Sequence, residues 1–277
     1  MELLNIGCGG NYHPSWTNID IVSTSPHVVA HDITKGLPYR GGTFDVVYHS
    51  HVIEHLTHDE AISLLNECVR VLKPGGTLRI ATPDLENLAR TYLESLKAAL
   101  AGDPHARADH HWMELELFDQ MVRNKPGGEM GSYLKRPDLV NKEFILSRIG
   151  QEAQQFCERT DSITQPSFLG KISLPRLLQL TKRAWHELIS MMLFLLTGKK
   201  GRDAFREGLF RSSGEIHRWL YDRLSLAMLL EQTHLVDIQQ CSAEESRIPD
   251  FGSHQLDVVE GIVRKPDSLF MEGTKPR

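Results

Sequence analysis

Short apolar runs separated by polar, Gly- or Pro-containing linkers fill the first fifty residues. They are Leu3-Leu4-Asn5-Ile6, Thr17-Asn18-Ile19-Asp20-Ile21, Val28-Val29-Ala30 and Phe44-Asp45-Val46-Val47-Tyr48. Runs of this length bounded by turn residues predict strands. A continuous apolar run fits a strand covered on both faces, as in a parallel sheet. Thr57-His58-Asp59-Glu60 is a capping-box pattern, followed at helical spacing by Ala61, Leu64, Leu65, Cys68, Val69 and Leu72. Lys73-Pro74-Gly75-Gly76 ends that helix, and Thr77 to Ala81 predicts a fifth strand. Asp84 caps a helix carrying Leu85, Leu88, Ala89 and Tyr92.

Strands alternating with helices predict a doubly wound, mostly parallel α/β sheet. The alternation breaks off near residue 95, and residues 95–213 read as helices and loops. A helix is expected over Arg218 to Leu230, and late strands at Val236–Gln239 and Ser268–Met271-Glu272. The expected division is residues 1–94 with 214–277 as one domain, and 95–213 as a helical insertion that covers a substrate.

Composition narrows the class. A net charge of -5 leaves no global basic field, which argues against a nucleic-acid partner. Cys8, Cys68, Cys157 and Cys241 form no CxxC pair, and with no leader sequence expected, reduced thiols in a cytoplasmic protein are the expectation. No apolar run reaches the length that spans a bilayer. One local feature departs from the acidic average. Residues 171–211 carry nine Lys/Arg against three Asp/Glu, beside an apolar helical face of Trp185, Leu188, Ile189, Met192, Leu193, Leu195 and Leu196. It reads first as a core helix with a solvated basic rim. The sharper reading is peripheral membrane contact or a cleft for an anionic substrate.

The chemistry converges at strand ends. Gly7-Cys8-Gly9-Gly10 follows the first strand, where missing Cβ atoms let the backbone approach a ligand. Asp20, Asp32 and His49-Ser50-His51 follow the next three strands, on the side where open α/β sheets bind ligands. A carboxylate after strand two can accept both hydroxyls of a ribose. A second acid beside apolar Ile33 suits the amine and ring of adenine. The plain reading of either acid is a loop cap. Gly7-x-Gly9 is a poor dinucleotide fingerprint, because Tyr12 stands where a small residue is needed. His51-x-x-Glu54-His55 matches an inverted zinc-peptidase pattern, but that pattern needs a long helix and here it directly follows a strand. A strand-to-helix junction without metal is expected.

Leu4-Asn5-Ile6-Gly7-Cys8-Gly9, Asp20, Asp32-Ile33, Phe44-Asp45-Val46-Val47, His51-Val52-Ile53-Glu54-His55-Leu56 and Val71-Leu72-Lys73-Pro74-Gly75-Gly76 together resemble the class I S-adenosylmethionine-dependent methyltransferases. The likeness covers residues 2–90. Arg218-Trp219-Leu220-Tyr221-Asp222 and Lys265-Pro266-Asp267-Ser268 resemble a branch associated with bacterial surface sugars. The resemblance implies a seven-stranded sheet with an antiparallel last strand, and S-adenosylmethionine as cofactor. It implies that Gly7, Cys8 and Gly9 line the methionine part, Asp20 holds the ribose, and Asp32 and Ile33 hold the adenine. Ser50 and His51 would lie beside the sulfonium. Some quinone O-methyltransferases of this fold hold a divalent ion at comparable acid and histidine positions.

The chain departs from the pattern twice. Ten residues, Pro14 among them, separate Gly9 from Asp20, too few for the usual helix. No N-terminal lid is expected before the first strand, so the 95–213 insertion is expected to supply the substrate cover. The expected activity is O-methylation of a sugar or another small acceptor, anionic or lipid-linked. A hydroxyl nucleophile needs a base, for which His51, His55, His110, His111 and His217 are candidates, with His217 preferred. The competing reading is a non-catalytic S-adenosylmethionine-binding subunit or scaffold.

Overall fold

The structure is a computed structural model that describes residues 1–23, 25–150, 153 and 174–277. Cys157, Lys171 and most of the segment around them lie outside the described residues. The strands are β1 (Leu3–Ile6), β2 (Thr17–Asp20), β3 (Val28–Ala30), β4 (Phe44–Ser50), β5 (Leu72–Pro83), β6 (Val236–Cys241), β7 (Val258–Val259), β8 (Ile262–Val263) and β9 (Ser268–Thr274). The helices are α1 (His58–Val71), α2 (Leu85–Leu100), α3 (Pro104–Val122), α4 (Gly128–Leu134), α5 (Lys142–Ile149), α6 (Leu174–Arg211) and α7 (Arg223–Gln232).

Seven strands form one sheet in the order β3-β2-β1-β4-β5-β9-β6. The pairs among β1 to β5 are parallel, and β9 runs antiparallel between β5 and β6. Local chemistry sets the element ends. Thr57 and Glu60 form the reciprocal capping box at the start of α1. Asp84 accepts the N–H groups of Glu86 and Asn87 at the start of α2. The helix expected from Arg218 begins only at Arg223. Asp222 caps it by accepting from Leu224 and Ser225, and the N–H groups of Arg218 and Trp219 are turned to the Glu54 carbonyl.

The two faces of the sheet are covered differently. Leu4, Ile6, Val47, Leu78 and Ile80 meet Leu64, Leu65 and Cys68 of α1 and Leu226, Leu229 and Leu230 of α7. No helix forms between Gly10 and Thr17, where the chain makes only a turn. On that face Leu3, Val46 and Tyr48 pack instead on Trp16, Ile248, Phe251 and Leu256. The connection between β6 and β9 therefore covers the sheet where a helix after β1 would lie.

Arg79 pins that cover. It points from β5 to the same face and is fully buried. Its Nε donates to Asp257 Oδ2 at 2.8 Å and its Nη1 to Glu272 Oε1 at 2.8 Å. Nη groups also donate to the carbonyls of Ser242 and Glu245 at 3.0 and 2.9 Å. The guanidinium lies 4.7 Å from the Phe251 ring centre and 5.4 Å from that of Phe270. Tyr48 donates its hydroxyl to the other Asp257 oxygen at 2.5 Å.

A second core lies in the helical layer, built from Leu88, Trp112, Met113, Met130, Tyr133, Leu134, Ile145 and Ile149. Helix α2 runs unbroken through residues 94 and 95 and carries Leu88 into this core. A buried pair, Glu116 with Arg148 at 2.7 Å, joins α3 to α5. Asp119 of α3 accepts the N–H groups of Glu129 and Met130 at the start of α4. The apolar residues of α6 do not form a core helix. Trp185, Leu188, Met192, Leu195 and Leu196 are exposed. No helix of the described residues is long and apolar enough to cross a membrane.

Candidate active site

The glycine turn after β1 is held by N–H groups of Gly7 and Cys8 that donate to the Ile19 carbonyl at 2.8 and 3.3 Å. Gly7 and Gly9 both adopt positive φ, at 63° and 54°. A Cβ on Gly7 would lie 2.4 Å from a Val52 methyl, so only glycine fits there. A Cβ on Gly9 or Gly10 would meet nothing within 4 Å. These two glycines border a cavity of about 590 Å³, whose wall includes Asn5, Gly7, Cys8, Tyr48, Ser50 and His51. Asn11, Val259, Arg264 and Lys265 complete it. That volume is in the range of small-molecule sites.

Asp20 Oδ2 accepts the Gly9 N–H at 2.8 Å, which ties the carboxylate after β2 to the turn. Burial, with Asp20 adding to it, pushes the Cys8 thiol up to about 11, so it is a protonated wall group and not a nucleophile. Asp32 and Ile33 are not in the cavity wall. Asp32 caps the 3-10 turn Ile33–Lys35 by accepting from the Thr34 N–H and hydroxyl, which hold its carboxyl below the ordinary range. The structure thus gathers Gly7, Cys8, Gly9, Ser50 and His51 around one cavity, with Asp20 joined through Gly9. Gly10 and Asn5 stand in the glycine-turn motif, whereas Asn11, Tyr48, Val259, Arg264 and Lys265 were not expected in the wall. Of these five, Lys265 had left a signal, in the Lys265-Pro266-Asp267-Ser268 motif.

A second cavity of about 320 Å³ opens on the other side of His51. His55, Gln120, Arg123, Met130, Leu134, Glu215, His217 and Asp267 line it, and both His51 and Lys265 stand in the walls of both cavities. His51 has φ 55°, a strained value for a non-glycine residue, and such strain clusters at functional sites. Its Nδ1 lies 3.1 Å from Glu54 Oε1 and its Nε2 2.8 Å from the Ser268 hydroxyl.

Glu54 is fully buried. Burial alone would raise its carboxyl, but the neighbouring His51, first, and His55 outweigh it and hold the group well below the usual range. An ionised Glu54 only accepts, so a proton on His51 Nδ1 faces it, and the neutral ring with that tautomer presents a lone pair at Nε2. His55 Nδ1 is 3.0 Å from the Ile216 carbonyl, and its ring centre is 4.8 Å from that of His217. Burial pushes the His217 imidazole down to about 3, against the pull of Glu54. The ring is therefore neutral and weakly basic. Glu54, His55 and His217 each place one ligand atom within 4.8 Å of the others, a set able to hold a divalent ion. Ile53–His55 is a single 3-10 turn, not the long helix that an HxxEH zinc site requires.

These buried imidazoles make stability depend on pH. His49 in β4 is fully buried, neither ring nitrogen has a partner, and burial pushes it down to about 4. His49 and His217 are neutral in the fold but charge near pH 6.5 when the chain unfolds. Stability is then full above about pH 6.5 and is lost as pH falls toward about 4, by about 1.4 kcal/mol per pH unit for each histidine. Urea midpoints measured from about pH 8 to about pH 4.5 should stay flat and then drop. A flat profile to the lowest pH would show that neither ring is held neutral.

Residues 14–80 match the family described as methyltransferase domain. The ubiquinone biosynthesis O-methyltransferase of Rhizobium johnstonii is 30% identical over 105 residues. The match takes in 30% of this chain and 41% of that protein, so the chain spans less than half the length of this curated relative. A solved S-adenosylmethionine-dependent methyltransferase of Thermotoga maritima aligns with 99% of this chain and 82% of its own, at 11% identity and a TM-score of 0.40. One from Aquifex aeolicus aligns over 30% of this chain and 57% of its own, at 20% identity and a TM-score of 0.26. The family match falls on β2, β3, β4, α1 and most of β5, the part of the sheet that follows the glycine turn. The likeness of the sequence motifs to class I methyltransferases implies S-adenosylmethionine as the cofactor. The glycine cavity fits such a cofactor, because Gly9 and Gly10 leave open space and Asp20 ends β2 beside them. Replacing Asp20 with Ala is expected to weaken S-adenosylhomocysteine binding by about 1–3 kcal/mol, the scale of hydrogen bonds to a charged group. Calorimetry on both proteins measures it, and equal affinities would remove Asp20 from the site.

Proposed function

We propose that the chain methylates a hydroxyl of a small polar acceptor, a sugar being the favoured class. The observation that carries this reading is the meeting of two cavities at His51. S-adenosylmethionine, when bound, supplies a methyl group on a sulfonium. Gly9 and Gly10 leave room for its methionine part, and Asp20, tied to Gly9, receives the ribose. Ser50 and His51 flank the reacting end, and Arg264 and Lys265 bring positive charge to the same wall.

Methyl transfer is an in-line displacement in which alignment and exclusion of water do most of the work. The helical layer supplies that exclusion. Met130, Leu134 and Ile149 form an apolar wall of the acceptor cavity, facing Arg123, Glu215 and Asp267. Arg123 is fixed by Asp119 at 3.2 Å and by Glu215 at 3.3 Å, and its buried Nε has no partner. Arg123 and Lys265 thus bring positive charge to a wall that also carries Glu215 and Asp267, which suits a polar acceptor.

The nucleophile's proton goes to His51 Nε2, directly or through the Ser268 hydroxyl. The buried Glu54 carboxylate then stabilises the imidazolium. His51 takes the role expected of His217, because an imidazole pushed down to about 3 is a poor proton acceptor near neutrality. The test is mass spectrometry of hydroxylated acceptors, neutral and anionic sugars among them, after incubation with cofactor carrying a deuterated methyl group. One labelled methyl on an acceptor oxygen is expected. Label on nitrogen or carbon alone would refute O-methylation.

A further inference from the structure

Helix α6 is a hairpin. Its backbone breaks at Gly198, with φ 74° and ψ -165°. The two arms fold together. Arg206 donates to the Ser190 hydroxyl at 3.0 Å and to Glu187 at 2.8 Å, and the His186 and Phe205 rings lie 6.5 Å apart. Ser190 is buried against the second arm. Almost everything else near the turn is apolar and open. Trp185, Leu188, Met191, Met192 and Phe194 are exposed, and Leu195 and Leu196 at the tip are 76% and 75% exposed. At 3.6 residues per turn these side chains cover an arc of about 200°, far wider than the stripe a helix buries against one neighbour. Lys199 and Lys200 follow immediately and are exposed. An apolar tip with cations in its turn complements an anionic lipid surface, where apolar side chains enter the acyl boundary and lysines meet headgroups.

We propose that the α6 hairpin docks this chain on anionic membranes by inserting its tip, residues 191–200, into the interface. The depth is limited to the interface, since no described helix is long and apolar enough to cross. A symmetric pairing of two copies through the tip would oppose Lys199 and Lys200 to themselves. The hairpin ends at Arg211, a few residues before Glu215 and His217 in the wall of the acceptor cavity. Docking would hold that cavity near lipid-linked acceptors.

The test is co-sedimentation of the full chain with vesicles of equal parts phosphatidylglycerol and phosphatidylcholine, and with phosphatidylcholine alone. The chain should pellet with the anionic vesicles, and less so as salt screens the lysines over about 8–10 Å. The double variant Leu195→Asp, Leu196→Asp should lower vesicle affinity at least about tenfold. The double variant Lys199→Glu, Lys200→Glu should lower it several-fold and remove the salt dependence. Both should bind S-adenosylhomocysteine as the wild type does, which shows that they fold. The proposal is overturned if the wild type stays in the supernatant, or if both variants pellet like the wild type. Tip-dependent self-association in gel filtration, without vesicle binding, would assign the surface to a second copy and also overturn it.

Discussion

Replacing His51 with Asn is expected to lower turnover by about 10²–10⁴-fold, the usual contribution of a positioned general base. Asn is the informative choice. It tolerates the left-handed backbone that His51 adopts at φ 55°, so the turn between β4 and the 3-10 segment should persist. It can still meet Glu54 or Ser268 by hydrogen bonding but cannot take a proton at neutral pH. Affinity for S-adenosylhomocysteine should stay within a few-fold of the wild type. The measurement is kcat with an acceptor that the wild type methylates, beside calorimetric Kd. A variant with wild-type kcat would remove His51 as the base. A variant that lost cofactor affinity and turnover in parallel would make it a binding residue alone.

Replacing Arg79 with Met is expected to remove about 3–5 kcal/mol of stability, the cost of breaking a buried ion pair by deleting one partner. Met keeps apolar contact with Phe251 and Phe270, so the loss reports the charge. Without the guanidinium, Asp257 and Glu272 would be two buried carboxylates with no cation between them. The damage should reach the cofactor cavity, since Asp257 also accepts the Arg264 N–H through its carbonyl and Arg264 stands in the cavity wall. Urea midpoints measure the loss, and limited proteolysis should cut first within residues 242–263. A change below about 1 kcal/mol would show that the network does not hold the cover.

Local chemistry made most of the sheet legible. Each of the seven strands of the sheet overlaps a stretch expected to form one, although β5 begins already at Leu72 within the expected helix, and Thr57 with Glu60 and Asp84 mark helix starts through contacts within four residues. The missing helix after β1 was readable from the short span between Gly9 and Asp20. What replaces it was not, because Trp16, Phe251 and Leu256 meet Tyr48 only across long sequence separations. The one signal was Arg79, a charge between Leu78 and Ile80 in a strand otherwise buried. The run Trp219-Leu220-Tyr221 looks helical, but Asp222 makes the stronger cap. His51-x-x-Glu54-His55 reads as the start of a helix. Its role as a buried acid among three histidines depends on His217, which arrives from 163 residues beyond Glu54. Asp32 showed the limit of position alone: it follows β3 as expected, yet its side chain serves the Thr34 turn.

The claim on which the rest stands is that the glycine cavity holds the cofactor beside His51. Titration of S-adenosylhomocysteine into the wild type and into Gly10→Leu measures it most directly. Gly10 lines the cavity, has no positive φ, and a Cβ there meets nothing within 4 Å, so leucine fills the space without straining the turn. One binding site per chain is expected in the wild type, and none in the variant. Absence of binding to the wild type, or equal binding to both proteins, would contradict the account.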